Sequence, residues 1–529
     1  MPLVILWLLL IAVNLAIRPL MPIDETRYVS VAWEMWTRGD FLVPYLNGET
    51  YSHKPPLLFW LMQLSWTLFG VNEWTARLIS PLFSLGSTLL SGIIAQKLWP
   101  QRPSVAQNTP FILLGFSFWL IYSTLTMFDM LLVFFVLLAI FSLISLAQTS
   151  AWRNLFLLGV AIGGGVLSKG TVVLLQILPV ALLAPWWLQS KSNNFQWRSF
   201  YLKLVAAIFM GAAIALAWAI PAGISGGDNY RHAIFFGQTS GRLVESFAHK
   251  LPFWWYLVRL PLLLLPWLLF KPFWQGIRKL SIKDYGVRFC IAWALPVFIT
   301  FSLVSGKRIH YLLPLMPALA LLLARVADEI HDIASWKRAF QTVWGGICIV
   351  LVLMASFMLL NTQTHWFNIG LNAMWLLGLA TLIGVGLTLF KVNSFNHIML
   401  TSCLISIAIP STLAITYLEI NAPRFDTKPI AQTIAQLRLE DKGVAFYSGK
   451  YHDQFQFTGR LTQPLLLLRS PEMLKNWIDQ NKAGFVLVDS EKVPTSLLFY
   501  SHSYRAGQLG FLSSQTLIEQ PDLIQLLPR

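Results

Sequence analysis

Polar residues in this chain come as islands between long apolar runs. About 20 consecutive apolar residues cross a bilayer as a helix. On that rule the runs predict about thirteen spans, near 3–20, 74–97, 110–127, 129–148, 153–168, 171–189, 201–222, 253–270, 287–304, 310–326, 341–360, 369–390 and 398–418. An odd number puts the chain ends on opposite sides. From about Asn421 the pattern changes. Short strand-like pieces, Val444–Tyr447 and Phe485–Val488, alternate with helical ones, Ile430–Leu437 and Pro471–Gln480. The expected fold is a polytopic all-α membrane domain over 1–420, followed by a small α/β domain over 421–529 outside the membrane.

The first island, Asp24 to Gly70 within an opening loop of 21–73, has its own periodicity. Val29, Ala32, Trp33 and Trp36 repeat at helical spacing, with Arg27, Ser30, Glu34 and Arg38 opposite. That pattern predicts an amphipathic interfacial helix, ended by Gly39. Pro55-Pro56 starts a second short helix, Leu57 to Leu68, closed by Gly70.

Composition agrees with the spans: 56% of residues are hydrophobic and only 12% charged, against about 25% charged in soluble domains. The net charge of +15 is scattered among apolar runs, which argues against a nucleic-acid partner. Loops on one side carry Lys97, Arg102, Arg153, Lys191, Arg198, Lys271, Arg278 and Arg338, the bias expected of a cytoplasmic face. The other face receives the opening loop, 223–250, 305–310 and the tail. It also carries cations (Arg27, Arg38, Lys54, Arg231, Arg242, Lys307, Arg308), which points to an anionic substrate there. Cys290, Cys348 and Cys403 all lie in apolar runs, so no disulfide framework or cysteine metal site is indicated. The first apolar run lacks a basic leader and a cleavage site and reads as a retained helix.

The candidate chemistry gathers at these islands. Asp24 and Glu25 form an acid pair that could deprotonate or orient an acceptor, or bind a metal; capping of the following helix is the plainer role for Asp24. Lys54, between His53 and a proline pair, suits a phosphate, with snorkelling as its alternative. Asp129 between two apolar runs is costly unless paired or facing a polar cavity. Lys169, in GGGVLSKG, sits at a similar boundary, where glycines allow close helix packing or a plain turn. Arg242 is a phosphate clamp candidate. Lys307, Arg308, His310 and Tyr311 make a second anion site. Asp24, His53, His249 and His310 are weak metal candidates, since no ligand spacing supports them. No cofactor is otherwise expected, and a divalent metal is left open.

Taken in order, DETRY, GDFLVPYLNGETYSHKPPLLFW, TLTMFDM, GGGVLSKG, FFGQTSGR with HKLPFWWY, and KRIHYLLPLMPALAL resemble the membrane-embedded GT-C glycosyltransferases. Within them the likeness is to the aminoarabinose–lipid A transferase and protein O-mannosyltransferase-like group. The tail pieces APRFDTKPIAQTI and VAFYSGKYHDQFQFTGR resemble the aminoarabinose-transferase end of that group. The resemblance implies a bacterial inner-membrane enzyme with a periplasmic C-terminal domain. Its donor would be a sugar on undecaprenyl phosphate, first of all 4-amino-4-deoxy-L-arabinose, and its acceptor lipid A. By similarity, Asp24 is the first-loop catalytic acid and Lys54 binds the carrier phosphate. Asp129 shapes the cavity, and Arg242 and Tyr311 line it. One position departs: the family has Glu before Lys-Pro where this chain has His53. Transfer of mannose or a hexuronic acid to protein or lipopolysaccharide core is the alternative within the class. An anionic-lipid transporter or flippase is the alternative outside it, and a non-catalytic scaffold a third. Charges collected at one face, rather than at the midplane of broken helices, favour the enzyme.

Overall fold

The long runs of Leu, Ile, Val and Phe fold as helices because a backbone in lipid must satisfy its own hydrogen bonds. The computed structural model describes residues 2–189, 195–237, 251–360, 367–389, 394–447 and 451–527. Contacts divide the chain into two compact units. One is Met1–Ala16, His53–Leu58 and Arg77–Thr416; the other is Ile17–Ser52, Phe59–Ala76 and Tyr417–Arg529. The division does not follow chain order: most of the opening island belongs with the tail.

Among the described residues, seven helices are long and apolar enough to cross a membrane. They are Glu73–Leu98, Phe128–Thr149, Trp197–Ser225, Tyr285–Leu303, Ile309–Asp328, Ile333–Phe357 and Phe395–Leu418. A bent pair, Pro103–Gly115 and Ser117–Ser123 at 71°, can supply an eighth crossing. The thirteen apolar windows therefore do not all become long helices. Window 171–189 divides into Val172–Leu182 and Ala184–Trp187, and window 253–270 into Trp255–Leu263 and the 3-10 turn Trp267–Leu269. Window 110–127 breaks at Phe116, where the backbone is extended. Two bonds from another segment hold that break: the Ser117 N–H donates to the Leu265 carbonyl at 3.1 Å, and the Trp267 indole donates to the Ile112 carbonyl at 2.8 Å. Apolarity reports immersion, whereas helix continuity depends on such neighbours.

In the larger unit, three successive glycines set the spacing of helices. A Cβ on Gly163 would stand 2.8 Å from the Ile214 side chain, one on Gly164 2.3 Å from the Phe135 ring, and one on Gly165 2.4 Å from Val173. Helix Trp152–Lys169 can thus lie against Trp197–Ser225, Phe128–Thr149 and Val172–Leu182 at once, as small residues permit. Gly164 lies five residues before Lys169, and Phe135 six after Asp129. The approach at Gly164 therefore brings those two charged residues to the same end of an antiparallel helix pair.

In the smaller unit, the tail forms a five-stranded sheet. Its strands run in the order Leu466–Leu467, Val444–Tyr447, Phe485–Asp489, Gly507–Ser513, Tyr500–Tyr504, parallel across the first three and antiparallel beyond. Alternate residues face opposite sides. Phe446 and Leu487 pack under helix Lys428–Leu439, while Val486 and Val488 pack with Leu474 and Ile478 of helix Pro471–Gln480. The opening island adds helix Asp24–Arg38, ended by Gly39 at φ 66°, and most of helix Leu57–Phe69. Between them Asn47 and Gly48, both at positive φ, turn a short antiparallel hairpin, as Asn-Gly pairs do. On the polar side of helix Asp24–Arg38, Ser30 is fully buried and accepts from the Phe457 N–H at 3.2 Å, while Arg38 stays exposed.

Candidate functional site

Asp129 lies in the first turn of helix Phe128–Thr149, where a negative charge is favoured; Lys169 lies in the last turn of helix Trp152–Lys169, where a positive one is. Ser80 sets the entry to the Asp129 helix. Its hydroxyl donates to the Met127 carbonyl at 2.8 Å and accepts from the Met127 N–H at 3.1 Å, holding the extended residue before the helix. Lys169 Nζ then donates to Asp129 Oδ1 at 2.5 Å, with the Asp129 side chain buried and the Lys169 side chain largely so.

Aromatic and cationic groups surround this pair. Lys169 Nζ stands 4.9 Å from the centroid of the Tyr311 ring. The His310 ring lies 5.0 Å from Tyr311 and 5.7 Å from Tyr122. Lys54 Nζ is 5.8 Å from the Phe128 ring centroid, and the Asp129 charge is neighboured by Lys169, His310 and Lys54. One buried carboxylate, two ammonium groups, an imidazole and a phenol therefore meet at one end of the larger unit. An anion delivered there meets two ammonium groups beside the Asp129 carboxylate.

Lys307 and Arg308 stand differently. The buried Lys307 ammonium donates to the Leu251 carbonyl at 2.9 Å and to the Val304 carbonyl at 2.5 Å, tying the segment before His310 to residue 251. The Arg308 side chain is exposed, and its carbonyl accepts from the buried Tyr256 hydroxyl at 2.9 Å. Arg242 and His249 lie outside the described residues.

In the smaller unit the acid pair divides. Ile23 occupies the N-cap position with no side-chain cap, so Asp24 does not cap its helix; it sits in the first turn. Its carboxylate accepts from Arg27 and, at 3.4 Å, from the Tyr28 hydroxyl, and its side chain remains 40% exposed. Glu25 is buried. It takes both Nη groups of Arg18, one at 3.0 Å, and accepts from the Met21 N–H at 2.9 Å. Sequence reasoning passed over Arg18. Its signal was an arginine placed at the end of the first apolar run, where no solvent-facing loop required it. His53 is exposed. Among the described residues no group of three His, Cys, Asp or Glu side chains could hold a metal ion.

The family model described as dolichyl-phosphate-mannose-protein mannosyltransferase matches residues 53–218, the stretch that holds Lys54, Asp129 and Lys169. An undecaprenyl phosphate-alpha-4-amino-4-deoxy-L-arabinose arabinosyl transferase of Serratia proteamaculans (strain 568) is 30% identical over 403 residues, 70% of this chain and 70% of that protein. The chain belongs to this arabinosyl transferase family. The family member of Enterobacter sp. (strain 638) is 31% identical over 360 residues, 65% of this chain but only 63% of that protein's length. The fold matches the crystal structure of ArnT from Cupriavidus metallidurans bound to undecaprenyl phosphate. The TM-score is 0.74 at 18% identity, over 97% of this chain and 96% of that one. With its apolar helices, this family member is a multi-pass membrane protein of the GT-C fold.

Proposed function

We propose that this protein moves 4-amino-4-deoxy-L-arabinose from undecaprenyl phosphate to lipid A. The observation that carries the reading is the largely buried Asp129–Lys169 pair beside Tyr311 and Lys54, inside the stretch matched by a lipid-phosphate-sugar transferase family. In the reaction the bond between the sugar and the carrier phosphate oxygen breaks, and its electron pair stays with the phosphate. A new bond forms from the sugar carbon to an acceptor oxygen. Lys54 stabilises the charge left on the carrier phosphate. Lys169 shares that field while Asp129 holds it in place, and Tyr311 walls the ammonium. Asp24 is the carboxylate assigned to the acceptor. Where that acceptor is a lipid A phosphate, it is already an anion and Asp24 orients it; a hydroxyl acceptor would give Asp24 its proton. Glu25 and Lys307 take structural parts, given their buried partners.

The family setting supports an inner-membrane location, with the tail on the periplasmic face. A reporter fused after Arg529 is expected to be active only on that face. A second reading is kept by the mannosyltransferase description of the matched family model and by His53: the same site transferring another lipid-linked sugar, such as mannose. Mass spectrometry of lipid A from cells with and without the protein tests the choice. A pentosamine added to lipid A is the expected result. Unchanged lipid A, with the sugar found on protein or core, would move the assignment to the second reading.

A further inference from the structure

Helix Trp152–Lys169 carries Lys169 at one end and a second opening at the other. There Leu155 and the start of helix Trp197–Ser225 line an open cavity of about 670 Å³, whose lining includes Trp197, Arg198, Leu202, Lys203 and Ala206. Leu155 is 14 residues from Lys169, roughly 21 Å at 1.5 Å per residue. The cavity therefore belongs to the end of the larger unit opposite the Asp129–Lys169 pair.

Its lining has two characters. Arg198 and Lys203 supply cations, and among the described residues no acidic side chain lines it. Lys203 is fixed in place by donating to Ser150 Oγ at 2.6 Å and to the Ser150 carbonyl at 2.5 Å, which leaves a third N–H for a ligand. Phe195, Trp197 and Tyr201 cluster at the same level, with Trp197 and Tyr201 stacked at 6.2 Å. Such a ring cluster at a helix end marks the depth of lipid headgroups. From the cavity, the outer face of the second helix continues as Leu202, Val205 and Phe209, which are 60%, 47% and 71% exposed. A free anion would use the cations and leave this apolar track unused. A two-chain lipid uses both.

We propose that this cavity binds the headgroup of an anionic phospholipid. The lipid phosphate accepts the forked N–H groups of Arg198 and the remaining N–H of Lys203. Its acyl chains lie along Leu202, Val205 and Phe209. Basic pockets between membrane helices take acidic headgroups on the same physical grounds.

The test is native mass spectrometry of the full chain released from nanodiscs that mix phosphatidylglycerol with phosphatidylcholine. The wild type is expected to retain phosphatidylglycerol in preference to phosphatidylcholine. Arg198→Gln should lower that retention about tenfold, the size expected for one lost charge-assisted contact. Arg198→Lys should restore part of it, and Phe209→Ser should weaken retention with the cations intact. Equal retention of the two lipids, or equal retention by wild type and Arg198→Gln, overturns the proposal. So does displacement of the lipid by millimolar inorganic phosphate, which would make this a free-anion site.

Discussion

The Lys169 ammonium donates to the Asp129 carboxylate at 2.5 Å, from the last turn of one helix to the first turn of another. Each charge sits at the helix end that favours it, and the pair is largely withdrawn from solvent, so neither can lose its partner cheaply. Removing one member of a buried pair costs about 3–5 kcal/mol, whereas replacing both by apolar groups is often close to neutral. Asp129→Leu and Lys169→Met should each lower the thermal stability of the purified protein sharply, and the double variant should regain most of it. Sugar transfer should stay lost in the double. A stable double variant with full transfer activity would reduce the pair to scaffold.

The acid pair of the opening island predicts a split between chemistry and folding. Asp24→Asn keeps the helix and its neighbours while removing a half-exposed charge, so stability should change by less than about 0.5 kcal/mol. The turnover rate should fall by about 10²–10⁴, the usual range for a lost acid or base. Glu25→Gln should do the reverse, because it removes the negative charge facing the buried Arg18 guanidinium. Stability and turnover measured side by side decide the matter, and exchanged phenotypes would exchange the assignments.

The stacking of Phe457 on Trp66, centroids 5.4 Å apart and planes 6° from parallel, ties the tail to the opening island. Trp33 adds an edge contact to both rings, and its indole donates to the Leu461 carbonyl at 2.8 Å. Phe457→Ala should cost about 3–5 kcal/mol locally. Hydrogen exchange should then quicken across helix Asp24–Arg38, which carries Asp24, while Phe457→Tyr should leave it slow. Unaltered exchange in the alanine variant would show that the helix stands without the tail.

How much of this could be read from the sequence depends on what each feature rests on. Helix Asp24–Arg38 and its Gly39 stop follow from period and a left-handed cap, both local, and both were legible. The tail strands Val444–Tyr447 and Phe485–Asp489 were legible as apolar runs. The hairpin Tyr500–Tyr504 with Gly507–Ser513 was not, because its turn is Arg505-Ala506 rather than an Asn-Gly pair. Asn47-Gly48 was such a signal and was passed over. Asp129 and Lys169 were each legible as ionisable residues at apolar boundaries. Their pairing was not, because it depends on Gly164 meeting Phe135 across two helices. Arg18 and Glu25 were separate letters until folding closed the turn between them. Continuity of the spans failed to show for the same reason: the bend at Phe116 is held by Leu265 and Trp267, which no local window contains.

Asp453 is fully buried at φ 60° in the tail segment that meets the opening island. Burial, and then the nearby Glu34 carboxylate, push its pKa well above the ordinary value, outweighing contacts with the Gln456 side chain and the Asn47 backbone. The folded carboxyl therefore keeps its proton at a pH where the unfolded chain, with a pKa of about 3.9, has lost it. Stability from this group is complete below the unfolded pKa and drains away as pH rises through the folded one. Asp453→Asn supplies a neutral side chain of the same shape at every pH, and asparagine tolerates the left-handed backbone. Below pH 4 the variant and the wild type should unfold alike. Above it the variant should be the more stable, with the gap widening toward neutral pH. The measurement is hydrogen exchange of 451–465 in the full chain against pH. A constant gap, or one that closes as pH rises, would mean that the carboxylate is ionised in the fold and held by a partner.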